Sequence, residues 1–200
     1  MLDARKLQRN LGVADDGIIG AGTLRALFAR FGASPSIAGE LGMAANVRFR
    51  TYGILDTGLR LAHFMGQCAH ESGGFRYMEE IASGQAYEGR ADLGNTQPGD
   101  GKRYKGRGPI QLTGRANARF YGRKCGIDFE NHPELMAIPS IGILTACMYW
   151  DQNGLNAYAD RDEGTAIGNG INRGNPKSDR QPNGAADRIV RTAVAKSLIL

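Results

Sequence analysis

Apolar residues recur at helical spacing through most of this 200-residue chain, and no segment shows the strict apolar–polar alternation of a half-buried strand. Stripes of that kind are buried against other helices, so the spacing predicts a mainly α fold. One helix is expected from near Gly58 to Glu71, with Leu61, Met65 and Cys68 on one side. It should stop at Gly73-Gly74, residues that readily take the left-handed conformation of a helix end. Another should begin near Pro139, where proline suits the first helical position, and carry Ile141, Leu144, Tyr149 and Trp150 inward until Gly154. Asp187 to Leu200 makes a last helix. Residues 84–109 fit none of this: they are glycine-rich, irregular and too long for a simple connector, which is how an active-site loop reads.

The first 33 residues read as a unit of their own. Leu7 and Leu11 share one helical side, Asp15-Asp16-Gly17 makes a turn, and Leu24, Leu27, Phe28 and Phe31 mark a second helix. Gly32 and the Ser-Pro-Ser at 34–36 end it. The run L-Q-R-N-L-G-V-A-D-D-G-I-I-G-A-G-T-L-R-A-L resembles the short helical peptidoglycan-binding modules of wall hydrolases, in which a D-G-x-x-G turn joins two helices. The expected organisation is therefore a small module at 1–33 and a main domain at 37–200. A module this short buries little area and leans on its neighbour.

No stretch approaches the roughly 18 uninterrupted apolar residues of a bilayer span, so no stable membrane insertion is expected. Met1 to Asn10 carries charge where a signal peptide needs an apolar run, which predicts a chain made in the cytoplasm without a signal peptide. Cys68, Cys125 and Cys147 are odd in number and widely spaced, matching neither a zinc site nor a disulfide framework. They are expected as reduced packing residues. The net charge is +5, and Lys102, Arg103, Lys105, Arg107, Arg115, Arg119, Arg123 and Lys124 fall in a stretch, 101–127, that contains no acid. Such a field attracts polyanions, or is simply a solvated basic face. Few aromatics stand ready to stack bases and no nucleic-acid-binding motif is present, so nucleic acid is not the expected partner. A bacterial wall, with its carboxylate-bearing peptides and anionic polymers, meets the same charge logic.

The chemistry starts at H-E-S-G-G-F, residues 70–75. A zinc protease would need H-E-x-x-H, and position 74 is glycine, so no metal site follows. What remains is Glu71 at the C-terminal end of a helix, where the dipole disfavours ionisation and suits a general acid. Hydrolysis of a glycosidic bond commonly takes a second carboxylate, and Glu79, Glu80 and Glu88 are available. The glycine break lets the chain fold back so that Glu71 and Glu80, nine residues apart, can face one cleft. In Y-K-G-R-G-P-I-Q-L-T-G-R-A-N, residues 104–117, Pro109 biases Gly108 toward an extended shape. Continued extension would point Gln111 and Thr113 to one side, with Thr113 as the N-cap of the next helix and Asn117 one turn on.

Taken together, H-E-S-G-G-F, Glu80 and G-R-G-P-I-Q-L-T resemble the family 19 glycoside hydrolases: chitinases of plants and bacteria, and related endolysins of phages and prophages. The similarity spans roughly Tyr52 to Arg191. It implies a mainly α, lysozyme-like, two-lobed domain with a central cleft and an inverting mechanism without metal or organic cofactor. By the resemblance Glu71 matches the general acid, Glu80 the general base, and Thr113 the residue that helps hold the water. Gln111 and Asn117 match sugar-binding amides, and Asn172 in I-N-R-G and Arg188 in A-D-R-I match an asparagine and an arginine near the cleft. His70, beside the acid, is expected with the substrate-binding groups. Glu79 and Glu88 keep the identity of the base open.

Ala116 and Ala118 stand where many chitinases carry tyrosines in N-Y-N-Y, which removes aromatic surface for stacking on sugar rings. The run Y-E-G-R-x-D-L-G-N-T-Q-P-G-D-G at 87–101 is closer to the prophage lysins. The expectation is an endolysin acting as a monomer on peptidoglycan glycan strands, reaching the wall after release by a holin-type partner. A chitinase and a noncatalytic wall-binding protein are the alternatives.

Overall fold

The structure, a computed structural model, describes residues 2–200. Its helices are α1 (Ala4–Leu11), α2 (Ala21–Phe31), α3 (Pro35–Thr51), α4 (Gly58–Glu71), α5 (Asp100–Arg103), α6 (Arg115–Cys125), α7 (Pro139–Gln152), α8 (Leu155–Asp160), α9 (Gly164–Arg173) and α10 (Ala185–Ile199). Short 3-10 turns cover Gln85–Tyr87, Ala91–Leu93 and Pro133–Ala137. Among the described residues there is no strand, only isolated bridges from Arg107 to Glu79 and Leu112. The mainly α expectation is met. None of these helices is long and apolar enough to cross a membrane.

The central element is α4, buried from Leu61 to Ala69 on every side. Its start and end agree with the sequence reading: Thr57 caps the N-terminus by accepting from the Arg60 amide, and the helix stops at Glu71. Helix α10 lies along α4 at close approach. A Cβ on Gly66 would sit 2.6 Å from the Cα of Thr192, so only glycine allows that crossing. On the other side α2 packs on α3, and α3 on α7.

A chain of aromatic rings ties these layers together. Phe75 meets Phe28 at 4.9 Å between centroids, Phe28 meets Phe49 at 6.1 Å, Phe49 meets Phe64 at 5.0 Å, and Phe64 meets Trp150 at 5.2 Å. The rings come from distant parts of the sequence, and all five are excluded from water. Burying a ring of this size contributes roughly 1.5–3 kcal/mol.

Residues 2–33 share a hydrophobic core with residues 37–200. Leu7, Leu24, Leu27 and Phe28 are fully buried in the same core as α4 and α7. The physical reason is that two helices of 8 and 11 residues have no second layer of their own to cover Phe28. The turn between them is nonetheless locally specified. The buried Gln8 amide donates to Asp16 Oδ1 at 2.7 Å and to the Ile18 carbonyl at 3.0 Å, and its oxygen accepts from the Gly17 amide at 2.8 Å.

The cysteines are free, Cys68 and Cys147 buried and Cys125 partly so. Burial pushes all three thiols above their ordinary range, which keeps them protonated packing groups.

Candidate active site

A cleft of about 1140 Å³ is lined by the end of α4, the loop from Glu80 to Leu93, residues 110–113, one face of α6 and the ends of α7 and α9. Glu71, Glu80, Gln111, Thr113, Asn117 and Asn172 all line it. Six residues that the sequence singled out thus share one cavity. His70 and Arg188 do not line it.

The first wall is built at the end of α4. Ser72 accepts the role of C-cap, its hydroxyl donating to the Cys68 carbonyl at 2.6 Å and accepting from the Phe75 amide at 2.9 Å. Gly74 then turns the chain with φ +79°, and its α-carbon lies so near the Phe31 carbonyl that a Cβ would come within 2.4 Å of the oxygen. Glu71 is left on the rim of the core, where Arg188 donates through one guanidinium nitrogen to its Oε1. Arg188 is buried, and its other donors go to Gln67 Oε1 at 2.8 Å and the Asn183 carbonyl at 2.9 Å. Gln67 stands one turn before Glu71 on α4, so helix, arginine and carboxylate form a closed network. Glu71 Oε2 makes no hydrogen bond among the described residues.

Arg188, expected with the substrate-binding groups near the cleft, reaches the cleft through Glu71. Its donors are committed inside the protein, and it lies behind Glu71 rather than on the wall. His70 is placed off the cleft wall as well: its Nδ1 is 2.6 Å from Asp187 Oδ2, and its ring packs against Gly184 at the start of α10. One helical step from Glu71 turns its side chain about 100° away, onto α10.

The second wall is a loop. Glu80 Oε1 accepts from the Tyr87 hydroxyl at 3.0 Å, Oε2 accepts from the Gly106 amide at 3.0 Å, and its own amide donates to the Gly106 carbonyl at 2.9 Å. Burial, with the nearby Glu80 charge, pushes the Tyr87 hydroxyl up to about 12, so it stays a donor. The rival carboxylates are spent elsewhere. Glu79 pairs with Lys105 at 2.7 Å and Arg107 at 3.0 Å, which hold it below the ordinary carboxylate range. Glu88 accepts from the Gly99 and Gly101 amides at 2.6 and 2.7 Å and so staples the glycine-rich loop. Neither lines the cleft.

Residues 107–112 close a tight turn, with reciprocal backbone bonds between Arg107 and Leu112 at 3.1 and 2.9 Å. Gly108 is left-handed at φ +73°, not extended, because the steric restriction before proline falls lightly on glycine and the turn needs that conformation. Gln111 is also left-handed, at φ 54°. Thr113 does not cap α6; Gly114 occupies that position. The Thr113 hydroxyl donates instead to the Gln111 carbonyl at 2.9 Å, and Asn117 Nδ2 donates to the Thr113 carbonyl at 2.8 Å. Gln111 and Thr113 reach the same cleft by a turn rather than by extension.

Sequence reasoning missed Tyr87 and Gln67 as supports of the two carboxylates. Tyr87 lay inside the quoted Y-E-G-R run, and Gln67 precedes Glu71 by four residues, the helical spacing of same-face neighbours. It also overstated the basic field. Glu79, Asp100 and Glu130 fold back onto Lys105, Arg107, Arg115 and Arg119, leaving Lys102, Arg103, Arg123 and Lys124 without a carboxylate partner among the described residues. Ala118 is fully buried and offers no wall, and the aromatic side chains that line the cleft beside Tyr87 are Phe120, Tyr121 and Tyr149.

Known proteins resemble this chain in sequence and in fold. An endochitinase of Arabidopsis thaliana is 37% identical over 94 residues, covering 46% of this chain and 32% of the plant protein. A glycosyl hydrolase family 19 domain-containing protein of Haemophilus influenzae is 31% identical over 124 residues, covering 46% of this chain and 61% of that one. The chain thus spans only part of the length of these relatives, about a third for the plant protein. The fold is similar to that of chitinase C from Streptomyces griseus, with a TM-score of 0.66 at 21% identity over 91% of this chain and 94% of that one. The sequence profile of glycoside hydrolase family 19, described as chitinase class I, matches residues 47–167. With more than half of its length matched, the chain belongs to glycoside hydrolase family 19.

Proposed function

We propose that this protein is an endolysin-type glycosidase that hydrolyses β-1,4 bonds of the peptidoglycan glycan strand with inversion. One observation carries the reading: Glu71 and Glu80 line a single polar cleft, each fixed by its own hydrogen bonds, while the neighbouring Glu79 and Glu88 are consumed by other contacts.

Glu71 is the general acid, giving a proton to the leaving glycosidic oxygen through Oε2. The charge left behind meets the Arg188 guanidinium already in place, which costs no reorganisation. Glu80 is the general base. Each of its oxygens accepts one hydrogen bond and retains a lone pair for the attacking water. Thr113, whose proton goes to Gln111, faces the same water with its own lone pairs. Gln111, Asn117 and Asn172 offer amide groups to the hydroxyl and acetamido groups of the sugars. This chemistry requires no metal or organic cofactor. Any wall affinity of residues 1–33 acts through their exposed surface, and access to the wall follows release by a holin-type partner.

The alternative substrate is chitin, favoured by the similarity to endochitinases and by Phe120 in the cleft. The test is digestion of purified sacculi and of neutral N-acetylglucosamine oligomers, with mass spectrometry of the products and NMR of the fresh anomer. Muramic or glucosamine reducing ends from sacculi name the bond, and an inverted anomer is expected. Activity on oligomers alone moves the assignment to chitinase. A retained anomer refutes the mechanism, and binding without cleavage of either substrate leaves a wall-binding protein.

A further inference from the structure

Beside the cleft, α6 presents a second hollow, of about 600 Å³, lined by Ala116, Arg119, Phe120, Arg123, Lys124 and Gln152. Positions 116, 119, 120, 123 and 124 follow helical spacing, so one face of α6 supplies all but Gln152. Phe120 and Gln152 also line the cleft, which makes the hollow a continuation of it.

The chemistry of this extension differs from that of the cleft. Phe120 is 45% exposed, so its ring is open to a ligand in the hollow. Lys124 Nζ lies 5.8 Å from the Phe120 centroid and donates to Gln152 Oε1 at 2.9 Å. The Arg123 side chain makes no hydrogen bond or ion pair among the described residues, and neither cation has a carboxylate partner. Arg119, the third cation, is already neutralised by Glu130 at 2.6 Å. No carboxylate lines the hollow. Two uncompensated positive charges flank an exposed aromatic face at the mouth of a sugar cleft.

We propose that this face of α6 is a subsite for the peptide stem of peptidoglycan, with Arg123 and Lys124 receiving its carboxylates and Phe120 supporting the sugar that bears it. The inference rests on the reading of the cleft as a glycan-binding site. A neutral polymer of N-acetylglucosamine carries no group that needs those cations, whereas each stem brings several carboxylates on a tether attached to the strand. The site would therefore favour peptide-bearing strands through charge complementarity, a rim effect that acts on encounter and weakens with salt.

The test compares three substrates: intact sacculi, glycan strands stripped of peptide by an amidase, and neutral N-acetylglucosamine oligomers. The double variant Arg123→Ala/Lys124→Ala should raise KM on intact sacculi by about tenfold, the scale of two exposed charge contacts, with kcat largely kept. Its loss on stripped strands should be several-fold smaller, and the difference should shrink as salt rises. Equal losses on intact and stripped strands, or no loss on intact sacculi, would overturn the proposal. To separate it from the hydrolase reading, sedimentation of the Glu71→Gln protein with intact and stripped sacculi measures the same contrast without turnover. If the parent protein cleaves nothing, the catalytic reading fails, and the α6 subsite stands or falls on whether Arg123→Ala/Lys124→Ala abolishes the preference for intact sacculi.

Discussion

Glu71 and Glu80 face one cleft from opposite kinds of support. Glu71 ends a 14-residue helix buried along nearly its whole length, and its partner Arg188 is anchored to Gln67 of that helix and to the turn before α10. Glu80 sits in irregular chain, held by a tyrosine hydroxyl and a glycine amide from other parts of the loop wall. Between residues 79 and 109 Tyr104 is the one large apolar side chain that is fully buried. Its phenol donates to the Glu130 carbonyl at 2.7 Å, and Arg115 stacks over its ring at 4.9 Å. One wall is thus positioned by packing and the other by satisfied polar contacts. The lesson is that fixing two carboxylates in one cleft does not require regular structure, but the two solutions fail differently when disturbed.

At the chemical step the difference should vanish. With Glu71 as the proposed acid and Glu80 as the proposed base, Glu71→Gln and Glu80→Gln should each lower kcat by on the order of a hundredfold or more. Thermal melting of both should stay near that of the parent. Glu79→Gln and Glu88→Gln should cost far less in rate. Collapse of the Glu88 variant with near-normal activity of the Glu80 variant would mean that the loop wall carries its base elsewhere.

The supports should then separate the walls. Arg188→Met leaves Glu71 and the buried Gln67 without their donor, and an unsatisfied buried acceptor costs about 1–3 kcal/mol, so both melting temperature and rate should fall. Tyr87→Phe removes one partly exposed hydrogen bond, worth about 1 kcal/mol, and should reduce the rate while barely moving the melt. Paired denaturant melts and kinetics decide it. A Tyr87→Phe protein as destabilised as Arg188→Met would show that the loop wall is part of the same cooperative unit.

The two walls were also legible in the sequence to different degrees. The end of α4, its glycine break and Glu71 were readable because helix periodicity and a stop signal are local. The loop wall was readable only as an irregular segment, since Glu88 reaching Gly99 and Gly101, or Asp100 reaching Arg115, are contacts between residues 11 to 15 apart with no period to announce them. Motif resemblance supplied Glu80, Gln111 and Thr113, yet the extended path and the Thr113 cap inferred for them were wrong, because local preference at Pro109 yields to the hairpin closed by Arg107 and Leu112. The same limit explains residues 1–33. Their D-G-x-x-G turn is locally specified by Gln8, but nothing in the segment reveals that Phe28 belongs under Phe75 and Phe49.

Acid gives the gentlest way to pull the walls apart. The loop wall is braced by Glu79 with Lys105 and Arg107, Asp100 with Arg115, and Glu130 with Arg119 and Arg115. Each carboxyl is held below its ordinary value by the cations beside it, Glu130 at about 2 through Arg119 first and Arg115 second. A carboxyl with a depressed folded value contributes stability that is complete above its unfolded value and is lost as pH falls through the folded one. For Glu130 that window runs from 4.5 down to about 2. The body of the protein has depressed carboxyls too, Asp160 and Asp162 among them, but its frame is apolar burial that does not titrate. Acidification should therefore loosen the loop before the core, by an amount per exposed pair of only about 0.2–1 kcal/mol. Two native reporters distinguish the regions: Tyr104 lies under the loop ion pairs and Trp150 in the aromatic core. Tyr104 ring resonances should shift within that window while Trp150 fluorescence stays native to lower pH, and Glu130→Gln should weaken the Tyr104 response. Simultaneous change of both reporters would show that packing, not charge, holds the loop wall.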